Sequence, residues 1–208
     1  MLRSTPLFAL AALLVSASAA QAADTKFVFK AGGLAKVTFT SKAPFEDIVG
    51  INNQVSGHLA LDLSAPASSA KGSVEVKMDG FKTGIDMRDD HFRSDQWLDT
   101  TKFPKATFEI TKVTGDGQLT FGKKIKGQVH GKMTIHGVTK PVVADVTVGY
   151  YKHTPQMKKM WISNHLLVVD GSFKVKVKDF GVKGAPQLFG SKVANEVEIA
   201  LKLAGEQQ

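Results

Sequence analysis

The sequence predicts an all-β protein, and three observations carry this prediction. Apolar and polar residues alternate with a period of two along most of the chain, as in residues 173–177 (FKVKV). Outside one central segment, no stretch repeats apolar residues at the spacing of an amphipathic helix for as long as ten residues. Short stretches rich in glycine, proline and small polar residues separate the alternating segments and favour turns.

The alternating segments recur from Phe27 almost to the last residues of the chain. A turn is predicted at Ala43-Pro44, and glycine favours hairpin turns at residues 115–117 and 136–141. Loops are predicted by composition at residues 64–72 and 152–159. In chain order, the predicted strands occupy residues 27–29, 36–40, 48–63, 73–78, 107–111, 129–135, 142–148, 161–169, 173–177 and 196–203.

Each predicted strand has one apolar and one polar face, which is typical of an antiparallel sheet that is wetted on one side. Such a sheet protects its edges by closing on itself or by packing against a second sheet. A closed barrel of about eight strands can be filled by side chains or can hold one small ligand. Periodicity alone leaves the filled barrel, the hollow barrel and the two-sheet sandwich open.

The first residues have the features of a secretory signal peptide. Arg3 precedes an apolar run over residues 7–20, and Ala20-Gln21-Ala22 has the small-x-small form of a cleavage site. We therefore expect residues 1–22 to be removed after Ala22 and residues 23–208 to form a single domain in the periplasm or outside the cell. The run is short for a membrane span.

Composition excludes some functions and favours others. The chain has no cysteine, so disulfides, thiol chemistry and thiolate metal sites are excluded. The formal net charge is +8, or +7 without Arg3, which favours anionic partners such as lipid headgroups. Many lysines alternate with apolar residues on predicted strands, which indicates solvated faces, so no nucleic-acid partner is predicted.

No motif in the chain predicts catalysis. There is no Gly-x-Ser-x-Gly elbow, no glycine-rich phosphate loop and no His-Glu-x-x-His zinc motif. His130 and His136 would face the same way on a strand, but isolated histidines on a polar face explain them equally well. We therefore predict no enzyme activity, no cofactor and no metal site.

The central segment, residues 83–110, interrupts the strand pattern with a dense cluster of charges. Thr83 or Asp86 could cap a short helix here, and Asp89 and Arg93 have the four-residue spacing of a helical ion pair. Phe92, Trp97 and Leu98 can turn inward, and Phe103-Pro104 stops the helix. The segment is predicted to be a helical insert near residues 86–99 that covers one end of the β structure.

The same segment resembles the signature of the YceI-like family, which comprises secreted bacterial, lipocalin-like proteins that bind polyisoprenoids and other long-chain lipids. Residues 131–142 (GKMTIHGVTKPV) are similar to the central hairpin of that family. Lys178-Asp179-Phe180-Gly181, with Val197-Glu198-Ile199 further on, is similar to its C-terminal part. The signature residues are Gly84, Arg88-Asp89, His91, Arg93-Ser94, Trp97-Leu98-Asp99, Lys102-Phe103-Pro104 and Thr107-Phe108.

The resemblance implies a closed, antiparallel, lipocalin-like barrel of about eight strands, with an elongated apolar cavity capped by the helical insert. Residues with an expected structural role in the motif are Arg88, Asp89, Arg93, Asp99, Pro104, Asp179, Phe180 and Gly181. Residues expected to line the cavity are Phe39, Val55, Leu59, Val76, Met78, Phe92, Trp97, Phe108, Met133, Ile135, Phe173 and Val175.

The function that this resemblance implies is binding of an amphipathic long-chain lipid, such as a polyisoprenoid, an isoprenoid quinone or a fatty-acid derivative. The protein would act as a carrier, scavenger or store, with a possible anionic headgroup or membrane surface as a second partner, and as a monomer or homodimer. One alternative is a stress-related structural or partner protein with a side-chain-filled barrel. Another is an enzyme acting on a prenyl or ester substrate through Asp89, His91 or Asp99.

Overall fold

A computed structural model describes residues 24–208 of the chain. The predicted signal peptide, residues 1–22, lies outside the described residues and stays a prediction. The described residues contain three short α-helices: α1 (Pro66–Ser69), α2 (Asp86–Arg93) and α3 (Pro155–Lys159). The ten strands are β1 (Thr25–Phe29), β2 (Lys36–Lys42), β3 (Asp47–Asn52), β4 (Val55–Leu61), β5 (Lys71–Lys77), β6 (Lys105–Gly115), β7 (Lys124–Ile135), β8 (Val138–Tyr151), β9 (Leu166–Val175) and β10 (Val197–Gln207).

The strands form one closed antiparallel sheet. Its order runs β1-β4-β5-β6-β7-β8-β9-β10, and β10 pairs back with β1 at Phe27↔Gln207 and Val28↔Glu206. Closure gives a barrel of eight strands and joins the two edges that an open sheet would expose. The predicted all-β, lipocalin-like barrel with a short helical insert is therefore confirmed.

Two positions in the barrel wall are each occupied by a broken strand. Along β10, residues 198–202 pair with β2, whereas residues 206–207 pair with β1. In the same way, β1 pairs with β4 and β2 pairs with β3. β1 and β2 thus occupy one strand position in the barrel wall, and β3 and β4 occupy the next one. The prediction of one continuous strand over residues 48–63 is wrong, because Asn53 and Gln54 interrupt the strand between β3 and β4.

Asn52 closes the gap in the hydrogen-bond ladder where β3 ends. The side chain is almost completely buried; its Nδ2 donates to the Lys77 carbonyl at 2.6 Å and its Oδ1 accepts from the Gln54 amide at 2.7 Å. Backbone groups that lose their partner at a break must be satisfied in another way. Asn52 supplies that partner to both neighbouring segments.

We expect Asn52→Ala to lower the free energy of unfolding by about 2 kcal/mol, since the substitution removes two hydrogen bonds that an almost completely buried side chain makes to the backbone. Asn53→Ala is the matched control, because the neighbouring side chain is exposed. It should change stability by less than about 0.5 kcal/mol. Urea unfolding of the two variants measures the difference, and equal losses would contradict this role of Asn52.

The two ends of the barrel carry different connections, and we name them the α2 end and the α3 end. The α2 end combines two long segments with two tight turns, whereas all three connections at the α3 end are loops of intermediate length. The α2 end consists of residues 43–46, 78–104, 136–137 and 176–196, and the α3 end consists of residues 62–70, 116–123 and 152–165.

Three loop predictions need correction in detail. The predicted loops at residues 64–72 and 152–159 contain α1 and α3, and each helix begins at a proline, which fits the first turn of a helix. The turn predicted at residues 115–117 does connect two paired strands, β6 and β7, but it is part of a longer loop that extends to Lys123. Leu119 explains the longer loop: the side chain is buried, and its amide donates to the Leu63 carbonyl at 2.8 Å.

The core follows the inward faces of the strands. Phe27, Val55 and Leu167 are the largest fully buried apolar side chains among residues 24–208. The ring of Phe27 meets the ring of Tyr150 edge to face, and the Tyr150 hydroxyl donates to Gln207 at 2.7 Å. Burial of this hydroxyl raises the pKa of Tyr150. Within residues 24–208, no helix is both long enough and apolar enough to cross a membrane.

Candidate ligand-binding cavity

An elongated cavity lies inside the barrel. Its volume is ≈ 150 Å³. The lining runs from Asp116 at one end of the barrel to Met133 on β7, so the cavity is narrow and extends along the barrel axis. Its walls are almost entirely apolar, with side chains from β5 to β10 such as Ile110, Val129, Val148, Val169 and Leu201.

The cavity opens at the α3 end. Asp116 and Gly117 line it and are exposed to solvent, so the mouth lies between the 116–123 loop and α1, where Pro66 and Ala67 also contribute. Pro66, Ala67 and Gly117 are small and uncharged, whereas Asp116 is charged. The mouth is thus the place where the apolar interior meets polar groups.

Beyond the opposite end of the cavity, packed aromatic rings fill the interior of the barrel. Phe39 stacks on Phe92 at 5.2 Å between ring centroids, and Phe81 lies at 5.4 Å from Phe39 and 5.6 Å from Phe92. None of the three rings lines the cavity. They form a floor below it, at the α2 end, so the cavity is closed at one end.

The predicted lining residues divide into two groups according to their height in the barrel. Leu59, Val76, Phe108, Met133 and Phe173 line the cavity. The other seven do not, because they lie below it, in the floor, or on the α2 side of it. These are Phe39, Val55, Met78, Phe92, Trp97, Ile135 and Val175.

Trp97 lies away from the cavity. Its ring packs on Phe189 at 5.6 Å between centroids, in the 176–196 connection, and Gly184 passes close beside it. Phe92 does turn inward, and Leu98 is buried, but both belong to the floor and its surroundings. The helical insert therefore covers the closed end of the cavity, and the mouth has different walls.

Wall residues that the sequence analysis did not single out come mainly from the middle strands. Ala144, Val146 and Val148 of β8 line the cavity, together with Ile110 of β6 and Leu203 of β10. Alternation already placed these side chains on one face of their strands. What was missing was the height of each strand relative to the cavity, which depends on register between distant strands.

Asp89 holds the helical insert together from inside. Its carboxylate is only 2 % exposed and accepts from the Thr83 hydroxyl at 2.6 Å and from the Thr83 amide at 2.8 Å. Burial opposes ionisation, but the two bonds from Thr83 and the positive charges of Lys82 and Arg93 outweigh it, so the pKa of Asp89 is lowered. Asp89 is a structural anion.

Two predictions about this helix are wrong. Arg93 forms its ion pair with the exposed Asp90, three residues away, while Asp89 points inward to Thr83. Helix α2 has Ile85 at its N-cap position with no side-chain cap, so neither Thr83 nor Asp86 caps it. The reason is tertiary: a buried carboxylate with two donors is better satisfied than one in an exposed pair.

Arg88 ties the same helix to the β2–β3 turn. Its guanidinium donates to the Thr83 hydroxyl at 2.9 Å and to the Thr83 carbonyl at 3.0 Å, and it pairs with Glu46 at 2.6 Å. Arg88, Thr83 and Asp89 therefore form one network that fixes the insert on the barrel. The planar guanidinium group carries several N–H donors, so one arginine can donate to Thr83 and to Glu46 at the same time.

The remaining motif residues shape the connections at the α2 end. Asp99 has a φ of +44° and accepts from the Lys102 amide, and the Pro104 carbonyl accepts from the Met78 amide at 2.9 Å. Phe180 is buried. Asp179 lies in a short 3₁₀ helix, which ends at Gly181, and the φ of Gly181 is +75°. None of these residues lines the cavity.

The residues named for the enzyme alternative lie together at the opposite end of the barrel from the mouth. Asp89, His91 and Asp99 belong to the α2 end, and none of them lines the cavity. Within residues 24–208, no three histidine or acidic side chains gather in a way that could hold a metal ion.

The closed eight-stranded barrel with an apolar, one-ended cavity defines a lipocalin-like barrel protein. The YceI-like domain matches residues 26–204. The chain belongs to the YceI-like family.

Curated relatives agree over most of the chain. A UPF0312 protein of Pseudomonas syringae pv. tomato is 33 % identical over 183 residues, covering 88 % of each chain. A UPF0312 protein of Pseudomonas aeruginosa is 31 % identical over 201 residues, covering 96 % of this chain and 95 % of the relative.

Solved structures share the fold. The polyisoprenoid binding domain from Saccharophagus degradans, implicated in plant cell wall breakdown, aligns with a TM-score of 0.65 at 15 % identity, covering 88 % of this chain and 98 % of that one. Burkholderia cenocepacia BcnA aligns with a TM-score of 0.63 at 24 % identity, covering 82 % and 95 %. The YCEI protein of Campylobacter jejuni aligns with a TM-score of 0.63 at 20 % identity, covering 80 % and 89 %.

Proposed function

We propose that this protein binds an amphipathic long-chain lipid in the barrel cavity and serves as a carrier, scavenger or store of that lipid in the periplasm or outside the cell. A polyisoprenoid, an isoprenoid quinone or a fatty-acid derivative has the required chemistry. The observation that carries the proposal is the narrow, almost wholly apolar cavity with one closed end. The polyisoprenoid-binding domain of Saccharophagus degradans, which has the same fold, supports this ligand class.

The cavity sets the orientation of the ligand. Side chains such as Ile110, Val148 and Val169 offer only apolar contacts, so the tail lies inside and extends toward the aromatic floor. Each buried CH₂ group contributes about 0.8 kcal/mol, so a tail of about ten carbons supplies ample free energy without any polar contact in the interior. The headgroup stays at the α3 end, where Asp116 and solvent meet the mouth.

Val148→Trp tests the cavity directly. Val148 lines the cavity from β8, so an indole at this position fills the space that the tail would occupy. Loss of contact with only two CH₂ groups removes about 1.6 kcal/mol, so we expect at least about a tenfold drop in bound lipid. Mass spectrometry of lipids extracted from protein purified from its native compartment measures the amount per mole.

Val143→Trp is the matched control, because Val143 lies on the same strand and is exposed on the outer face of the barrel. It should retain as much lipid as the unsubstituted protein. The proposal would be contradicted if the protein were repeatedly recovered without lipid and took up no prenyl lipids or fatty amides. That result would favour a side-chain-filled barrel.

A further inference from the structure

The β8–β9 loop, residues 152–165, exposes two large apolar side chains among lysines. Trp161 is 90 % exposed and Met160 is 59 % exposed, directly after α3. Lys152, Lys158 and Lys159 are exposed beside them. The loop contains no acidic residue. An exposed indole in a basic loop at the α3 end contributes nothing to the packing of the barrel.

The backbone at Trp161 supports a role for this side chain outside the fold. Its φ is +63°, and the Ile162 and Trp161 amides donate to the Met157 and Lys158 carbonyls at 3.0 and 3.1 Å. This pattern ends a helix with a left-handed residue, a position that glycine favours and a bulky residue adopts with strain. The strain is not offset by burial, so glycine would serve the fold better than tryptophan does.

The loop is fixed to the barrel, which holds the indole in place. Ile162 is buried beside Trp161, and the Ser163 amide donates to Glu206 on β10 at 2.9 Å. The His153 amide donates to Nδ1 of His165 at 3.0 Å, across the base of the loop. Trp161 is thus presented from a braced support.

The neighbouring mouth loop carries the same combination of residues. Phe121 is 47 % exposed and stacks on Tyr150 at the end of β8, with 4.5 Å between ring centroids. Lys123 and Lys124 follow it and are exposed. Of the acidic residues at this end, Glu206 accepts from Ser163, Asp62 accepts from Ser64, and Asp116 is exposed at the mouth, where lysines outnumber it.

From these contacts we infer that the α3 end docks on a lipid bilayer with anionic headgroups, through Trp161 and Met160 with the lysines around them. Tryptophan is favoured at the level of the headgroups, where its ring meets both apolar and polar surroundings. Lysines beside it attract anionic lipids. The inference rests on the proposed function, because it brings the mouth of the cavity to the membrane from which a lipid would be taken or to which it would be returned.

Co-sedimentation with vesicles tests the docking. We expect the protein to bind vesicles of phosphatidylglycerol and phosphatidylcholine, and to bind vesicles of phosphatidylcholine alone at least about tenfold more weakly, since each lysine near an anionic surface adds to the attraction. In a Trp97→Phe background, the fluorescence of Trp161 should shift to shorter wavelength on binding.

Trp161→Gly separates docking from folding. Glycine adopts the left-handed backbone without strain, so this variant should unfold at the same temperature as the unsubstituted protein or above it. We expect its vesicle affinity to fall at least about tenfold. Phe45→Ala is the matched control, because Phe45 is 78 % exposed at the α2 end, and it should leave vesicle binding unchanged.

The lysines have a control of their own. Lys158→Gln/Lys159→Gln should weaken binding to anionic vesicles about tenfold or more. Lys105→Gln/Lys174→Gln removes two charges from strands of the wall and should have little effect.

Unchanged vesicle binding in Trp161→Gly, or no binding by the unsubstituted protein, would overturn the inference, as would binding to an acidic protein through this loop without binding to vesicles. Lipid extracted from the unsubstituted protein distinguishes the two proposals. A loaded cavity without vesicle binding refutes the docking alone, whereas vesicle binding by protein whose cavity takes up no lipid refutes the proposed function.

Discussion

Phe27→Ala is expected to lower the free energy of unfolding by about 4 kcal/mol, the range found when a buried phenylalanine is truncated. Phe27 is 0 % exposed and packs edge to face against Tyr150. Its strand is only five residues long, yet it pairs with both β4 and β10 and so closes the barrel. For a domain of this size, the loss corresponds to about 8–16 °C in melting temperature.

Phe121→Ala is the control for this prediction. Its ring also contacts Tyr150, at 4.5 Å between centroids, but the side chain is 47 % exposed. We expect a loss of less than about 1 kcal/mol for this variant. Thermal and denaturant unfolding compare the two, and a loss for Phe27→Ala no greater than that for Phe121→Ala would show that β1 does not hold the barrel closed.

Asp89→Ala is expected to destabilise the protein by about 3 kcal/mol at neutral pH, because hydrogen bonds to a buried charge are among the stronger ones. The substitution leaves the Thr83 hydroxyl and amide without their acceptor and leaves Arg88 as the main tie between the insert and the wall. Asp90→Ala is the control. Asp90 is the next residue, 72 % exposed, and pairs with Arg93 at the surface, so its loss should be below about 1 kcal/mol.

The effect of Asp89 should also depend on pH, in a direction that its pKa fixes. Because the pKa is lowered in the folded protein from an ordinary value of 3.8, the carboxylate stabilises the fold above that value. This contribution is lost as the pH falls through the folded-state pKa. The difference in stability between the unsubstituted protein and Asp89→Ala should therefore shrink in acid, and a difference that stays constant down to about pH 2 would contradict the assignment.

The sequence predicted the strands well because the barrel imposes one rule along the whole wall. Side chains alternate between an apolar interior and solvent, so segments such as 173–177 show the pattern without reference to the rest of the molecule. Closure of the barrel was harder to predict from the sequence. It depends on pairing between Phe27 and Gln207, which local periodicity does not report. The prediction of a closed barrel came from the family resemblance.

The errors have a common physical origin in contacts between distant residues. The break after Asn52 depends on the Lys77 carbonyl of β5, which accepts from the Asn52 side chain. The long 116–123 loop depends on the buried Leu119, whose amide donates to the Leu63 carbonyl. Spacing along the helix predicted Arg93 as the partner of Asp89. In the structure the Asp89 carboxylate is buried and accepts from Thr83 instead. Nothing in the local sequence distinguishes Asp89 from Asp90.

The cavity residues illustrate the same boundary between what was and was not predictable. Alternation placed Leu59, Met133 and Ile135 correctly on inward faces, but only the first two line the cavity. Height along the barrel axis decides between wall and floor. That height is set by the register of neighbouring strands and by the rings of Phe39, Phe81 and Phe92, which fill the lower part of the interior.

The pairing of β1 with β10 has a consequence for synthesis. The contact joins residues 27–28 to residues 206–207, almost the whole length of the domain apart. Until residues 206–207 have left the ribosome, β1 lacks that partner and the wall remains an open sheet with unpaired backbone groups at its edges. Barrel closure therefore waits for residues that are made after the rest of the wall, and it carries a large loop-closure entropy. Such closure is typical of slowly folding chains that are vulnerable to aggregation while they are incomplete.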